Sequence, residues 1–260
     1  MSTLLLRLTG PMQSWGTTSR FRVRDTGLEP SKSGVIGLVC AALGKPREES
    51  ADDAGRWPEL VQLSDLRMGV RVDRQGTVMR DYHTAGGSHR KGERYGVAKA
   101  NGARPDTVES HRYYLADAQF LVGLESPDTR LLERLQVALL APVWPLRLGR
   151  KSFVPAAPVA SEDGVSSLSL EDALKSYPWV ARSDREAERM KAKVRQRALD
   201  GDPVSLRLVL DAPFGSTPEV RHDVPVDFAA RRFTLRHIRA DWVPLTEDMI
   251  KEEAACFSLA

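Results

Sequence analysis

The sequence predicts an α+β fold in which helices pack on one face of an antiparallel sheet. Three observations point to it. Short apolar runs bounded by Gly and Pro alternate with two helical patterns in the order β-α-β-β-α. A basic, glycine-containing stretch of little aliphatic character separates the second strand from the third. Alternating strand patterns then return near the C-terminus.

The elements follow in order. Residues 3–9, TLLLRLT, read as a buried strand ended by Gly10-Pro11. A long loop follows, carrying Gln13, Trp15, Arg20, Arg22 and Arg24. The segment SKSGVIGLVCAALG then places Val35, Leu38, Val39 and Ala42 on one helical face and Ile36, Cys40 and Leu43 on the next. A helix apolar nearly all round is a buried one. Ser31 or Ser33 serves as its N-cap, and Gly44 suits the position after its last turn. Residues 66–72, LRMGVRV, alternate as a strand, 115–124 read as another, and 128–140 read as an amphipathic helix with Leu131, Leu132, Leu135, Ala138 and Leu139 inward. A further strand near Leu146–Leu148 would complete a ferredoxin-like (RRM-related) unit. The sequence divides accordingly into a domain at 1–150, with an insertion at about 77–114, and a mixed, strand-rich C-terminal extension at 151–260. In the extension, 182–197 reads as a polar helix or a loop, and 204–210 and 233–239 as half-buried strands.

Composition narrows the function classes. The chain has 260 residues, 28% charged and 42% hydrophobic, which is ordinary for a folded globular protein. The net charge is only +3, but most of the cations are Arg, whose planar donor fork matches phosphate. The two cysteines, Cys40 and Cys256, form no disulfide framework and no metal motif. The N-terminus lacks the pattern of a signal peptide, and no run reaches the ~20 apolar residues of a membrane span. The expectation is a cytoplasmic protein with no membrane contact.

Several candidate sites stand out. Lys32-Ser33 opens the buried helix, where free N–H groups and the helix dipole favour an anion; a plain Ser cap beside a solvated Lys is the alternative. Gly149-Arg150-Lys151-Ser152 could cradle backbone phosphates or form a solvated turn. In 77–114, Arg80, Arg90, Lys91, Arg94, Lys99, Arg104 and Arg112 outnumber the acids, and Tyr82, His83 and Tyr95 add faces for stacking bases. His83, His89 and His111 lack the regular spacing of a metal site. The basic run at 182–197 suits a solvated helix face or a nucleic-acid contact. No GxxxxGK[ST] phosphate loop is present.

GPMQSWG, EPSKSGVIGLVCAALG, RDYHTA, YLADAQF and LGRKS occur in an order that resembles the CasD-type subunits of Cascade, the type I-E CRISPR surveillance complex. The resemblance covers roughly residues 4–155. It implies a RAMP-type, RNA-binding ferredoxin-like domain whose β-hairpin "thumb", here 77–114, folds over a guide RNA. It further implies a non-catalytic role in antiviral defence. The subunit would hold the 5′ handle of the crRNA, cap a filament of CasC-type backbone subunits and adjoin the CasA-type large subunit, with target DNA nearby and no cofactor. The handle contacts it implies are Gln13, Trp15, Lys32, Ser33, Arg112, Arg150, Lys151 and Ser152, with Arg80, Tyr82 and His83 at the thumb base. Two other readings compete. One is a metal-independent endoribonuclease processing precursor CRISPR RNA, for which His83, Tyr82 and Lys91 would serve. The other is a free-standing RRM-like binder, whose aromatic strand signature is missing from the predicted strands.

Overall fold

The structure is a computed structural model that describes residues 1–18, 22–48, 53, 55–86, 96–97, 106–161, 163–217 and 219–252. Its strands are β1 (Ser2–Thr9), β2 (Met12–Gln13), β3 (Val23–Arg24), β4 (Arg67–Arg74), β5 (Thr77–Ala85), β6 (Val108–Ala116), β7 (Gln119–Ser126), β8 (Val165–Ser166), β9 (Trp179–Ala181), β10 (Ser205–Ala212), β11 (Val220–Asp227), β12 (Arg232–Pro244) and β13 (Ile250–Glu252). The helices are α1 (Lys32–Leu43), α2 (Leu60–Ser64), α3 (Thr129–Leu140), α4 (Leu170–Ser176) and α5 (Asp184–Leu199).

One seven-stranded antiparallel sheet organises the molecule, in the order β11-β12-β10-β4-β7-β1-β8. Within it the run β1-α1-β4-β7-α3-β8 lays its strands in the spatial order β8-β1-β7-β4. Leu4, Leu6 and Leu8 point to one face and pack with Val35, Ile36 and Val39 of α1 and Leu132 and Leu135 of α3. Leu5 points to the other face with Leu121, and there α4 covers the sheet through Leu170 and Leu174. Period-2 alternation in a strand buried on both faces therefore reads as a continuous apolar run. Gly69 and Gly123 sit opposite one another in β4 and β7. A Cβ on either would lie 2.7 Å or less from a leucine side chain, Leu174 at Gly69 and Leu170 at Gly123, so the bare backbone makes the seat for α4.

Local chemistry explains the two main helices. The Ser31 hydroxyl accepts from the Gly34 N–H and starts α1; Gly44, at φ 66°, ends it in the left-handed conformation that glycine takes without cost. The Asp128 carboxylate caps α3 through the Leu131 N–H, and Leu132, Leu135 and Leu139 form its buried stripe. α5 is a helix capped by Ser183 that buries only Ala187 and Val194.

A buried charge network ties the C-terminal strands to α1. Arg236 of β12 pairs with both Asp211 and Asp223, the Lys32 Nζ lies 3.0 Å from Asp211, and the Asp223 carboxylate accepts the Lys32 N–H at 2.8 Å. The two carboxylates hold the Arg236 pKa above its ordinary value although burial alone would lower it.

Three expectations need correction. Residues 146–148 are not a strand: between Pro145 and Phe153 the chain turns back on itself, with Leu148 N–H donating to the Phe153 carbonyl, and β8 takes the sheet edge beside β1. The run 115–124 is not one strand; it breaks at Asp117, whose φ is 60°, separating β6 from β7. The second face of the sheet, covered by α4, was absent from the predicted architecture.

Candidate nucleic-acid interface

Beside the main sheet, β5 and β6 form a hairpin, with β2 and β3 on the far edge of β6. The register sets Arg24 against Arg112, and Asp81 against Arg112 across the hairpin. Strand alternation therefore puts Asp81, His83 and Arg112 on one face and Arg80, Tyr82 and His111 on the other.

The turn at 146–153 closes against this small sheet. Ser14 N–H donates to the Leu148 carbonyl at 3.0 Å, and Phe153 N–H to the Arg150 carbonyl at 2.9 Å. Gly149 is the crossing point: its φ is 98°, and a Cβ there would lie 1.9 Å from the Ser14 carbonyl oxygen. Only glycine fits such a place. The turn delivers Arg150, whose Nη2 donates to the Tyr113 carbonyl at 2.7 Å and the Arg24 carbonyl at 3.3 Å, with its guanidinium 5.4 Å from the centre of the Phe153 ring.

The result is a cleft of about 350 Å³ lined by Arg24, Arg112 and Arg150 with Ser14, Gly16, Asp25 and Gly149. Partial burial lowers the Arg150 pKa, and the positive charges of Arg112 and Arg24 lower it further; Asp81 and Asp25 offset this only in part. Like charges drawn together against that penalty, with the Arg150 fork held by two backbone carbonyls and the Arg112 Nε donating to the Ser110 hydroxyl, suit an anion.

A second cleft of about 630 Å³ opens on the other side of Gly149. Its floor is the Gly37–Ala41 side of α1, and its rim carries Arg47, Trp144, Arg147 and Lys151. No Asp or Glu is among its described lining residues.

The predicted contact residues divide between these clefts and the core. Arg112 and Arg150 meet in the first cleft; Ser33 and Lys151 line the second. Ser152 is exposed in the same turn, Arg80 is exposed on β5, Tyr82 is 56% exposed and His83 is half-buried. The Tyr82 ring lies 5.7 Å from that of His111, and a hydrogen bond to Glu109 raises the Tyr82 pKa.

Gln13, Trp15 and Lys32, predicted as handle contacts, are enclosed by the protein. Gln13 Nε2 donates to the Leu8 and Ala118 carbonyls at 2.9 Å each, and its Oε1 accepts from the Trp15 indole at 3.1 Å. Trp15 packs on Gly34, where a Cβ would come within 2.9 Å of the ring. Lys32 is spent on Asp211, and Asp223 already occupies the N-terminus of α1. Gln13 and Trp15 thus fix the chain on either side of Ser14, and Lys32 ties α1 to β10 and β11.

Arg20, His89, Arg90, Lys91, Arg94, Tyr95, Lys99, Arg104 and Cys256 lie outside the described residues. Among the described residues no group of three His, Cys, Asp or Glu could hold a metal ion, and no helix is long and apolar enough to cross a membrane. Arg24, Arg147 and Trp144 line these clefts and were not among the predicted contact residues. The sequence signal was there for Arg147, four residues before Lys151 in the same turn; Arg24 is linked to the site only through its pairing with β6.

Beside the antiparallel sheet, the structure brings three arginines together in one cleft, an arrangement suited to an anion. The chain belongs to the CRISPR-associated protein (Cas_Cas5) family, whose model matches residues 3–239. It is 38% identical over 162 residues to the CRISPR system Cascade subunit CasD of Escherichia coli (strain K12), a match spanning 58% of this chain and 66% of that protein. Two solved structures are similar over nearly the whole length. One, described as a crystal structure of Cas protein, is 37% identical with a TM-score of 0.65 and covers 96% of this chain and 98% of its own. The other, from a CRISPR RNA-guided surveillance complex, is 32% identical with a TM-score of 0.68 and covers 95% and 92%.

Proposed function

We propose that this protein is a Cascade-type subunit that grips the 5′ handle of the crRNA and does not cut it. The observation that carries the reading is the convergence of Arg24, Arg112 and Arg150 in one cleft, with more positive than negative charge. Single-stranded RNA supplies phosphates for such forks and free bases for neighbouring surfaces. The order β8-β1-β7-β4 supports reading these strands as a ferredoxin-like unit and the β5–β6 hairpin as its thumb. The likeness to CasD and to a surveillance-complex chain supports membership of such an assembly, with CasC-type and CasA-type subunits as neighbours.

The Tyr82–His83 pair named for a nuclease is disfavoured by the geometry of β5. A metal-free ribonuclease needs an acid and a base at one phosphate. Tyr82 and His83 are adjacent on a strand and point to opposite faces.

The test is to express the chain with its neighbouring gene products, purify the assembly and sequence the RNA it carries. A discrete small RNA with a constant 5′ end is expected, and the purified subunit should leave its repeat RNA intact with and without chelator. Absence of RNA would refute the binding role. Site-specific cleavage lost in Tyr82→Phe or His83→Ala would replace it with the nuclease.

A further inference from the structure

The second cleft has features that a phosphate seat does not need. Trp144 is 44% exposed at its rim, yet its position is fixed: Trp144 N–H donates to the Ala41 carbonyl at 3.1 Å and Val143 N–H to the Ala42 carbonyl at 2.9 Å. Trp144 shares the Ala41 carbonyl with the Gly44 N–H, and Val143 takes the Ala42 carbonyl of the last turn of α1, so the indole is anchored by a helix end. Phe228 also lines the cleft, half-buried, and a Cβ on Gly37 would lie 3.8 Å from the tip of its ring. A small-residue floor, aromatic side chains and a rim of Arg47, Arg147 and Lys151 without a lining carboxylate suit a flat aromatic group attached to an anion. That is the chemistry of a nucleotide.

We propose that this cleft seats one unstacked nucleobase of the bound RNA, with Trp144 as the stacking platform and Arg147 and Lys151 meeting the adjoining phosphates. The proposal rests on the RNA-binding reading above and adds a base-holding site to it. Gly149 lines both clefts, so a strand leaving Arg112 and Arg150 passes over a bare backbone to reach Trp144. The protein thus grips backbone on one side of Gly149 and a base on the other, which fixes the register of the strand as well as its position.

The probe is a single-stranded RNA with the sequence of the 5′ end of the guide that co-purifies with the complex, and a set in which each nucleotide in turn is abasic. Affinities are measured with the full chain, with Trp144→Leu, which keeps apolar bulk but no ring, with Trp144→Phe, and with Arg150→Gln. Loss of one base should weaken binding to the unaltered protein by roughly 5- to 140-fold at a single position, the range of aromatic–base stacking. Trp144→Leu should bind the intact RNA as weakly as that abasic RNA and should be insensitive to the abasic substitution. Trp144→Phe should restore part of the difference, and the variants should melt with the unaltered protein. A flat abasic scan, or the same abasic penalty in Trp144→Leu, with salt-dependent binding still weakened by Arg150→Gln, overturns the stacking site and leaves the RNA-binding reading standing. No salt-dependent binding of any of these RNAs overturns both.

Discussion

Arg150 carries the sharpest prediction, because its charge and its geometry can be separated. Its Nη2 bridges the Tyr113 and Arg24 carbonyls, and Arg112 and Arg24 stand close enough to lower its pKa. Arg150→Gln removes the charge; Arg150→Lys keeps it and removes the fork. If each arginine of the cleft neutralises one phosphate, each contributes about −0.7 to the slope of log affinity against log salt. Raising salt from about 50 to about 200 mM then costs roughly 2.6-fold per contact, and roughly 18-fold for the three guanidiniums together. Arg150→Gln should flatten the slope by about 0.7, and neutralising Arg24, Arg112 and Arg150 together by about 2.1. Arg150→Lys should keep the slope while binding more weakly, because an ammonium cannot reproduce the bidentate fork. The assay is fluorescence anisotropy with labelled single-stranded RNA across a salt series. An unchanged slope in the triple variant would refute the assignment of phosphates to this cleft.

Three further outcomes test the account of the scaffold. Gly149→Ala should lower the melting temperature and weaken RNA binding, since its Cβ would overlap the Ser14 carbonyl oxygen at 1.9 Å and the φ of 98° disfavours any side chain; an unaltered melt would contradict the crossing. Arg236→Met should destabilise the fold by about 3–5 kcal/mol in denaturant titration, because Asp211 and Asp223 lose their shared buried cation. Lys175, through its hydrogen bond, together with Arg239 holds the Glu171 carboxyl below its ordinary value of 4.5, against the opposing effect of burial. A depressed carboxylate stabilises the fold above 4.5 and loses that contribution as pH falls through the lower folded value. Glu171→Gln should therefore flatten the decline of melting temperature below about pH 4.5.

The parts of the fold legible in the sequence were those where local chemistry and burial agree. β1, α1 and α3 have unbroken apolar patterns with a cap or breaker at each end, and they form as read. α4 was invisible because seven residues carry too little periodicity, and its place is set by the facing glycines of β4 and β7. Leu146–Leu148 alternates like a strand, but the chain there must turn back, so packing overrode the pattern.

The site was legible as chemistry and not as geometry. GPMQSWG and LGRKS were two of the five motifs that carried the family resemblance, yet the sequence could not say which of their residues face inward. A glutamine that satisfies two backbone carbonyls and one that binds a ligand look alike until the fold encloses one of them, as it does Gln13. The same holds for Lys32, whose partner Asp211 lies 179 positions away in sequence. Trp144 shows the reverse: it follows the amphipathic α3, where an aromatic residue reads as part of the core, and it projects at a cleft rim because its backbone closes the end of α1.

The central claim is that the Arg112–Arg150 cleft and its turn hold the 5′ end of a guide RNA. Lys151 lies on that turn and is exposed, so a photo-crosslinking residue in its place would report the neighbouring RNA without entering the core. In the purified assembly, irradiation followed by primer extension on the recovered RNA should map the crosslink to the constant 5′ segment, at the same nucleotides in every guide. Crosslinks spread along the variable guide, or confined to its 3′ end, would contradict the account.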